Sequence, residues 1–214
     1  MDFDTASYLR RATSRAKSDV ANKLVGMLLH EASRSRVAAT GMRVADLAYC
    51  NAVVSTFGSK CIYCECQLER NRAAVEHLEG MNRFRLGLHI PGNVAVACVT
   101  CNREKRRDDQ LKLLVLAESG WESFLSHDSR RCSVTCKTCA YWTSIWPDPN
   151  ERQRRLTQAI SKITLFRAQY AGVLTLDPHL KSSLSLEIER LYRECQVFAS
   201  QHLVKITDLF AASR

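Results

Sequence analysis

The chain has 214 residues, 46% of them hydrophobic and 25% charged, a balance typical of a folded globular protein and not of a disordered chain. Its net charge of +9 favours polyanionic partners, nucleic acid first, although a merely soluble basic protein has the same balance. The sequence contains neither a run of about 18 apolar residues nor the apolar segment of a secretory signal, so we expect no membrane span and a cytoplasmic location.

Helical patterns dominate the first part of the chain, and we predict an N-terminal helical region over residues 1–57. Residues 5–36 are rich in Ala, Leu, Arg and Lys and contain no proline. Residues 43–57 have the pattern of a second helix, which ends at Gly58. Residues 58–110 differ from these helices, with short apolar pieces, paired cysteines and dense basic residues, so we expect a separate core there.

The rest of the chain is predicted to be helical around one more group of cysteines. Residues 111–125 predict a helix with a break near Gly120, at the start of a region, 111–150, that ends in the turn-forming residues WPDPN. Residues 151–172 and 180–212 predict two amphipathic helices in a C-terminal helical region, 151–214. These helices could pair two copies of the chain or build a monomeric core. The predicted fold class is α+β and mostly helical.

Ten cysteines in a protein expected inside the cell indicate metal sites or free thiols more than disulfide bonds. Two Cys-x-x-Cys pairs consist of Cys61, Cys64, Cys98 and Cys101. Four thiolates leave a metal no open coordination position, so we predict a structural zinc ion that holds the two ends of the intervening segment together. Redox or plain buried thiols are the alternative. Cys66 is not needed for this site, and we predict a free thiol.

A third group of cysteines is open to more than one interpretation. Its members are Cys132, Cys136 and Cys139. They could bind a second zinc ion completed by His127, Cys50 or Cys195. They could equally be free thiols beneath the aromatic side chains Trp142 and Trp146. The spacing also occurs in iron–sulfur radical enzymes, but the remaining helical segments are too short for the large α/β barrel of those enzymes.

Four polar residues lie in and beside the segment between the two cysteine pairs. Glu76 and His77 are adjacent, and both could reach one centre from a strand end. Asn93 follows a Pro-Gly turn, and Asn102 directly follows the second cysteine pair. Taken alone, His77 could be a surface histidine, Asn93 a turn residue and Asn102 a helix N-cap.

Taken together, these residues resemble the HNH endonuclease motif in its zinc-stapled form. The resemblance covers residues 58–110, and it rests on Cys-x-x-Cys, the acid–His pair and Asn-aliphatic-x-x-x-Cys-x-x-Cys-Asn-x-x-Lys. His77 matches the first motif position, Asn93 the middle one and Asn102 the last, where many members have His. The segment after His77 departs from the family because it lacks the usual proline. The resemblance implies a β-hairpin packed on one helix, the ββα-metal finger.

The family's chemistry implies metal-dependent hydrolysis of DNA phosphodiester bonds. His77 would be the general base. Glu76 and Asn102 would hold one Mg²⁺ or Mn²⁺ ion through oxygen atoms. Asn93 would steady the loop that orients His77. The residues expected to contact DNA phosphates are Arg103, Lys105 and Arg106.

The leading hypothesis is therefore a metal-dependent DNA endonuclease, with restriction or phage defence as a role suggested by analogy alone. The alternatives are a zinc-stabilised nucleic-acid-binding protein without catalysis and an iron–sulfur or redox protein. His89 matches no motif position, and we assign it at most a loop or DNA-contact role. Asp108 and Asp109 are expected to balance the two arginines that precede them.

Overall fold

The structure, a computed structural model, describes residues 5–111, 119–127 and 131–212. It is mostly helical and contains a small antiparallel sheet of two strands, in keeping with the predicted α+β class. Within these described ranges, no helix combines the length and the apolar character that crossing a membrane requires.

The helices and strands follow one another in a simple order. The helices are α1 (Thr5–Thr40), α2 (Leu47–Phe57), α3 (Val99–Leu111), α4 (Gly120–Leu125), α5 (Lys137–Ile145), α6 (Pro149–Ala168), α7 (Ala171–Leu174) and α8 (Pro178–Ala212), and the strands are β1 (Ala73–His77) and β2 (Val94–Cys98). The predicted end of the second helix at Gly58 is confirmed, since Gly58 caps α2 with a φ of 64°. The predicted helix over 111–125 is described only in part, because residues 112–118 lie outside the described ranges.

The chain forms two compact units. One unit contains Met1–Leu28 and Asp177–Arg214, and the other contains Leu29–Leu176. In the first unit, Val25 and Ile188 are buried apolar side chains of two long helices. Helix α1 contributes residues to both units.

A hairpin and a helix form the centre of the larger unit. β1 and β2 are antiparallel, with His77 opposite Val94, and α3 begins at the residue that follows β2. Below them, Tyr63, Phe124 and Trp142 are fully buried in one apolar cluster. The indole of Trp142 donates a hydrogen bond to the Phe124 carbonyl oxygen at 2.9 Å, so its polar atom is satisfied inside the core.

The connection between the two strands, residues 78–93, folds tightly back on itself. A side chain at Gly87 would place its Cβ 1.8 Å from the Glu79 carbonyl oxygen, so only glycine permits this approach. Gly92 has a φ of +83°, and its N–H donates to the Tyr49 hydroxyl at 2.9 Å. The connection is therefore held at both ends, which places its side chains at defined positions beside the end of β1.

Candidate active site and metal centres

A cleft of about 220 Å³ lies where the end of β1 faces the first turns of α3. Its walls include Glu76, His77, Asn82, Asn102, Lys105 and Arg106. The fold thus brings together three of the four residues predicted to be catalytic, Glu76, His77 and Asn102. The fourth, Asn93, does not line the cleft.

Glu76 and Asn102 are direct neighbours in this cleft. The Asn102 amide Nδ2 donates to Glu76 Oε2 at 2.7 Å and to the Val75 carbonyl oxygen at 3.2 Å. Oε1 of Glu76 accepts a hydrogen bond from the Tyr63 hydroxyl at 3.1 Å. Asn102 lies inside α3, which begins at Val99, and its side chain bonds to the strand, so the N-cap alternative is wrong.

Lys105 is buried beneath the cleft, with a side chain only 1% exposed. Its ammonium lies 3.1 Å from Glu76 Oε1, donates to the His77 carbonyl oxygen at 2.9 Å and lies 3.5 Å from Asp109 Oδ2. Burial by itself lowers the pKa of Lys105, but the charges of Glu76 and Asp109 outweigh it and raise this pKa. The charge of Lys105 is thus engaged inside the protein, which weighs against the predicted contact with a DNA phosphate.

The two aspartates near the end of α3 also have partners other than those predicted. Asp109 Oδ1 lies 2.9 Å from the Arg85 Nε atom, and both side chains are buried. Asp108 Oδ1 accepts a hydrogen bond from the Thr138 hydroxyl at 3.1 Å. Arg107 instead pairs with Glu104 at 2.5 Å. The two aspartates thus take part in long-range contacts with residues of other segments.

His77 is paired with His89, a contact that the sequence analysis missed. The His77 Nε2 and His89 Nδ1 atoms are 3.0 Å apart. The His89 backbone N–H donates to the buried Ser33 hydroxyl at 2.8 Å, which holds the strand connection in place. Burial, with smaller effects of His89, Lys105 and His30, lowers the pKa of His77 to about 4. No fixed spacing could have indicated this pair, because it depends on how residues 78–93 fold.

Asn93, at the end of the strand connection, binds its side chain back to the start of that connection. Its amide accepts a hydrogen bond from the Glu79 N–H at 2.7 Å and donates to the carbonyl oxygens of Glu79 and Leu88 at 3.1 and 2.8 Å. Arg167 adds a further contact at 3.2 Å. The side chain is 2% exposed, so these bonds are sheltered from water. Asn93 occupies the place that a loop-steadying residue requires.

The first cysteine cluster lies where the two Cys-x-x-Cys segments meet. The sulfur atoms of Cys61, Cys64, Cys66 and Cys98 all lie within 4.8 Å of one another. Cys101 is fully buried, its N–H donates to Cys98 Sγ at 3.4 Å, and hydrogen bonding with the Cys61 thiol raises its pKa. Cys66, predicted to be a free thiol outside the site, thus belongs to the group of four, while Cys101, the predicted fourth ligand, lies next to it.

The second cluster combines three thiols with one imidazole. The ligand atoms of His127, Cys132, Cys136 and Cys139 lie within 4.8 Å of one another. Burial by itself lowers the pKa of His127, but hydrogen bonding to Asp108 outweighs it and raises this pKa to about 9. Of the three predicted completing residues, His127 is in the cluster, whereas Cys50 and Cys195 are in neither group. Both clusters could hold a metal ion, and their donor atoms suit structural zinc.

Comparison of the chain with models of known protein families, with curated proteins and with solved structures found no match.

Proposed function

We propose that the protein is a metal-dependent endonuclease that hydrolyses DNA phosphodiester bonds in the cleft between β1 and α3, with the arrangement of an HNH site. The observation that carries this proposal is the convergence of Glu76, His77 and Asn102 in one cleft. The three hydrogen bonds of the Asn93 side-chain amide add support, because they fix the connection between β1 and β2 that follows His77.

In this proposal His77 is the general base. Its ring is hydrogen-bonded to His89, and only one arrangement of the protons leaves His77 able to accept another. In that arrangement His77 Nε2–H donates to His89 Nδ1, and the Nδ1 lone pair of His77 is free. A water proton then moves to Nδ1 as the water oxygen bonds to phosphorus. The bond from phosphorus to the 3′ oxygen breaks, and that oxygen takes a proton from solvent.

The low pKa of His77 is compatible with a general base, because a bound phosphodiester would raise it. A pKa of about 4 keeps the ring neutral at neutral pH, as a proton acceptor must be. The negative charge of a phosphodiester in the cleft would favour the protonated ring and raise this pKa toward the working pH. His89 acts through His77, by holding its ring and its tautomer, and is therefore a positioning residue.

Glu76 and Asn102 are the residues that would hold a divalent ion. A carboxylate and an amide oxygen are hard donors of the kind that Mg²⁺ takes together with water and phosphate. Glu76 Oε1 is engaged by Lys105 and Tyr63, so Oε2, which faces Asn102, is the available oxygen. A rotation of the Asn102 amide would present its oxygen as well. When bound, the ion would polarise the phosphate and neutralise the leaving oxygen.

Arg103 and Arg106 are the proposed phosphate contacts, since the charge of Lys105 already has Glu76 and Asp109 as partners. Both are exposed residues of α3, and Arg106 lines the cleft. The Arg103 side chain is 73% exposed, with Glu104 at 3.7 Å as its neighbour. Exposed guanidinium groups beside a cleft can contact successive phosphates without reading the base sequence.

The test is plasmid cleavage by the wild type, His77→Ala and a matched control, His179→Ala, which alters an exposed histidine of α8. Each protein is incubated with added Mg²⁺, with added Mn²⁺ and without either ion, and its zinc content is measured before the assay. We expect metal-dependent cutting by the wild type and the control, and a loss of at least about 100-fold in His77→Ala. Discrete fragments would favour a restriction enzyme. Equal cutting by both variants would overturn the proposal.

A second test addresses the histidine pair. His89→Ala should lower kcat by about 10- to 100-fold with little change in KM, because His77 remains but loses the partner that fixes its tautomer. A change confined to KM would instead indicate that His89 contacts DNA.

The alternative is a zinc-stabilised nucleic-acid-binding protein without catalysis. The observation in its favour is the ion pair between buried Glu76 and Lys105, which reduces the charge that Glu76 offers to a divalent ion. Fluorescence anisotropy with a labelled duplex distinguishes the two functions. Binding by the wild type and by His77→Ala, without cleavage by either protein under any metal condition, would favour the alternative.

A further inference from the structure

The second cluster has the dimensions of a metal site built for one tetrahedral ion. His127 Nδ1 lies 3.4 Å from Cys132 Sγ and 3.2 Å from Cys136 Sγ. Zinc–ligand lengths of about 2.3 Å to sulfur and about 2.05 Å to nitrogen imply a separation of about 3.6 Å between two ligands of a tetrahedral ion. The observed separations are close to this value, and a slight expansion would admit the ion.

The imidazole of His127 is held in the orientation of a metal ligand. Nδ1 faces the sulfur atoms, while Nε2 lies 2.9 Å from Asp108 Oδ1. Histidines that bind zinc commonly direct the other ring nitrogen to a carboxylate, which sets the tautomer and strengthens the ligand. Asp108 belongs to α3 and is 3% exposed as a side chain, so this contact is buried and connects the cluster to the cleft helix.

The backbone around Cys136 repeats a feature of the first cluster. The Cys139 N–H donates to Cys136 Sγ at 3.5 Å, just as the Cys101 N–H donates to Cys98 Sγ at 3.4 Å. This bond forms the N-cap of α5 and turns both thiols of the Cys-x-x-Cys segment toward one point. A bond from an N–H group also stabilises a thiolate, which is the form that binds metal.

We propose that His127, Cys132, Cys136 and Cys139 bind a second zinc ion, and that Asp108 orients His127 for this purpose. Three thiolates and one imidazole form a closed structural site, with no coordination position left for substrate. Asp108 also accepts the Thr138 hydroxyl bond, so the ion joins the last turns of α3 to the start of α5. The proposal is independent of the nuclease activity, because it concerns metal content and the placement of α3.

The test is the zinc content of the purified full-length chain, measured by mass spectrometry of the metal. We expect two zinc ions per chain in the wild type and one in Cys136→Ser. The matched control is Cys50→Ser, which changes a cysteine outside both groups and should retain two ions. One ion in the wild type, or an unchanged number in Cys136→Ser, would overturn the proposal.

A second measurement decides the question if Cys136→Ser fails to fold. In Asp108→Asn all four ligands remain, so both ions should bind, but the affinity of one site should fall about 10- to 100-fold in competition with a chromophoric chelator. Cobalt substitution of the wild type identifies the ligands, since a site with three sulfurs and one nitrogen absorbs differently from a site with four sulfurs. Unchanged affinity of both sites in Asp108→Asn, or cobalt bands of four-sulfur sites alone, would overturn the proposal.

Discussion

The two cysteine clusters differ in how far along the chain their members come from. The first joins Cys61, Cys64 and Cys66 to Cys98, across the whole hairpin. The second takes all four members from residues 127–139. A metal ion in the first cluster would therefore close a long loop, whereas an ion in the second would order a local segment.

The clusters also differ in what surrounds them. Cys61 and Cys101 belong to the apolar core beside Tyr63 and Trp142, whereas the members of the second cluster are only partly buried. The second cluster contacts α3 through the buried carboxylate of Asp108. Both clusters contact α3, one near its first turn and the other near its last. We therefore expect the first cluster to control formation of the hairpin and the second to affect the position of α3, the helix that carries Asn102.

The largest effect should come from removing one thiol of each cluster. We expect Cys98→Ser to lose the hairpin together with its metal ion, because structural zinc contributes about 10 kcal/mol or more to folding of a small metal-bound segment. Cys136→Ser should lower the melting temperature but keep the hairpin. Thermal unfolding followed by near-ultraviolet circular dichroism measures both. Greater damage from Cys136→Ser would reverse the comparison.

Lys105, in the middle of α3, neutralises the buried carboxylates of Glu76 and Asp109. Lys105→Met keeps the approximate volume but leaves Glu76 and Asp109 without this cation, so we expect a loss of about 3–5 kcal/mol in the free energy of unfolding. Lys162→Met is the control, since Lys162 is half-exposed and pairs with Glu65 at the surface; it should cost less than about 1 kcal/mol. Urea denaturation measures the free energy of unfolding of both variants. Equal losses would show that the buried ion pairs of Lys105 contribute no more than a surface pair.

A smaller effect should follow from loosening the connection between Asp108 and α5. Thr138→Val removes the hydroxyl that donates to Asp108 and retains the shape of the side chain, so we expect a loss of about 1–2 kcal/mol. Thr157→Val, at an exposed position of α6, serves as its reference and should be nearly neutral. If urea denaturation gives the same midpoint for both variants, the hydrogen bond from Thr138 to Asp108 contributes little to stability.

The smallest effect should come from replacing Cys66, and this variant tests which cysteine is the fourth ligand of the first cluster. Cys66 is exposed, whereas Cys101 is fully buried and contacts the Cys98 sulfur through its N–H group. We therefore expect Cys66→Ser to retain zinc in the first cluster and to change the free energy of unfolding by less than about 0.5 kcal/mol. Cys101→Ser should lose that ion. The opposite result in metal analysis would make Cys66 the fourth ligand and Cys101 a core thiol.

Much of the fold could be predicted because it depends on local patterns. The predicted end of the second helix at Gly58 is correct, since glycine adopts a positive φ there at little cost. Helix α5 was not predicted, because its few residues are placed by Trp142 in the core more than by any periodic pattern. That α1 contributes to both units was also not predicted, because helical periodicity does not show which other segments each part of a helix packs against.

By itself the sequence determined the adjacency of Glu76 and His77 and the two Cys-x-x-Cys pairs, because short spacing along the chain constrains geometry directly. Only the tertiary structure decided that His89 pairs with His77, that Lys105 is buried against Glu76, and that His127, of the three candidates, joins the second cluster. The first two contacts join residues whose separation along the chain carries no signal. They depend on how the strand connection folds back and on which side chains the core excludes from water, and both follow from the packing of the whole unit.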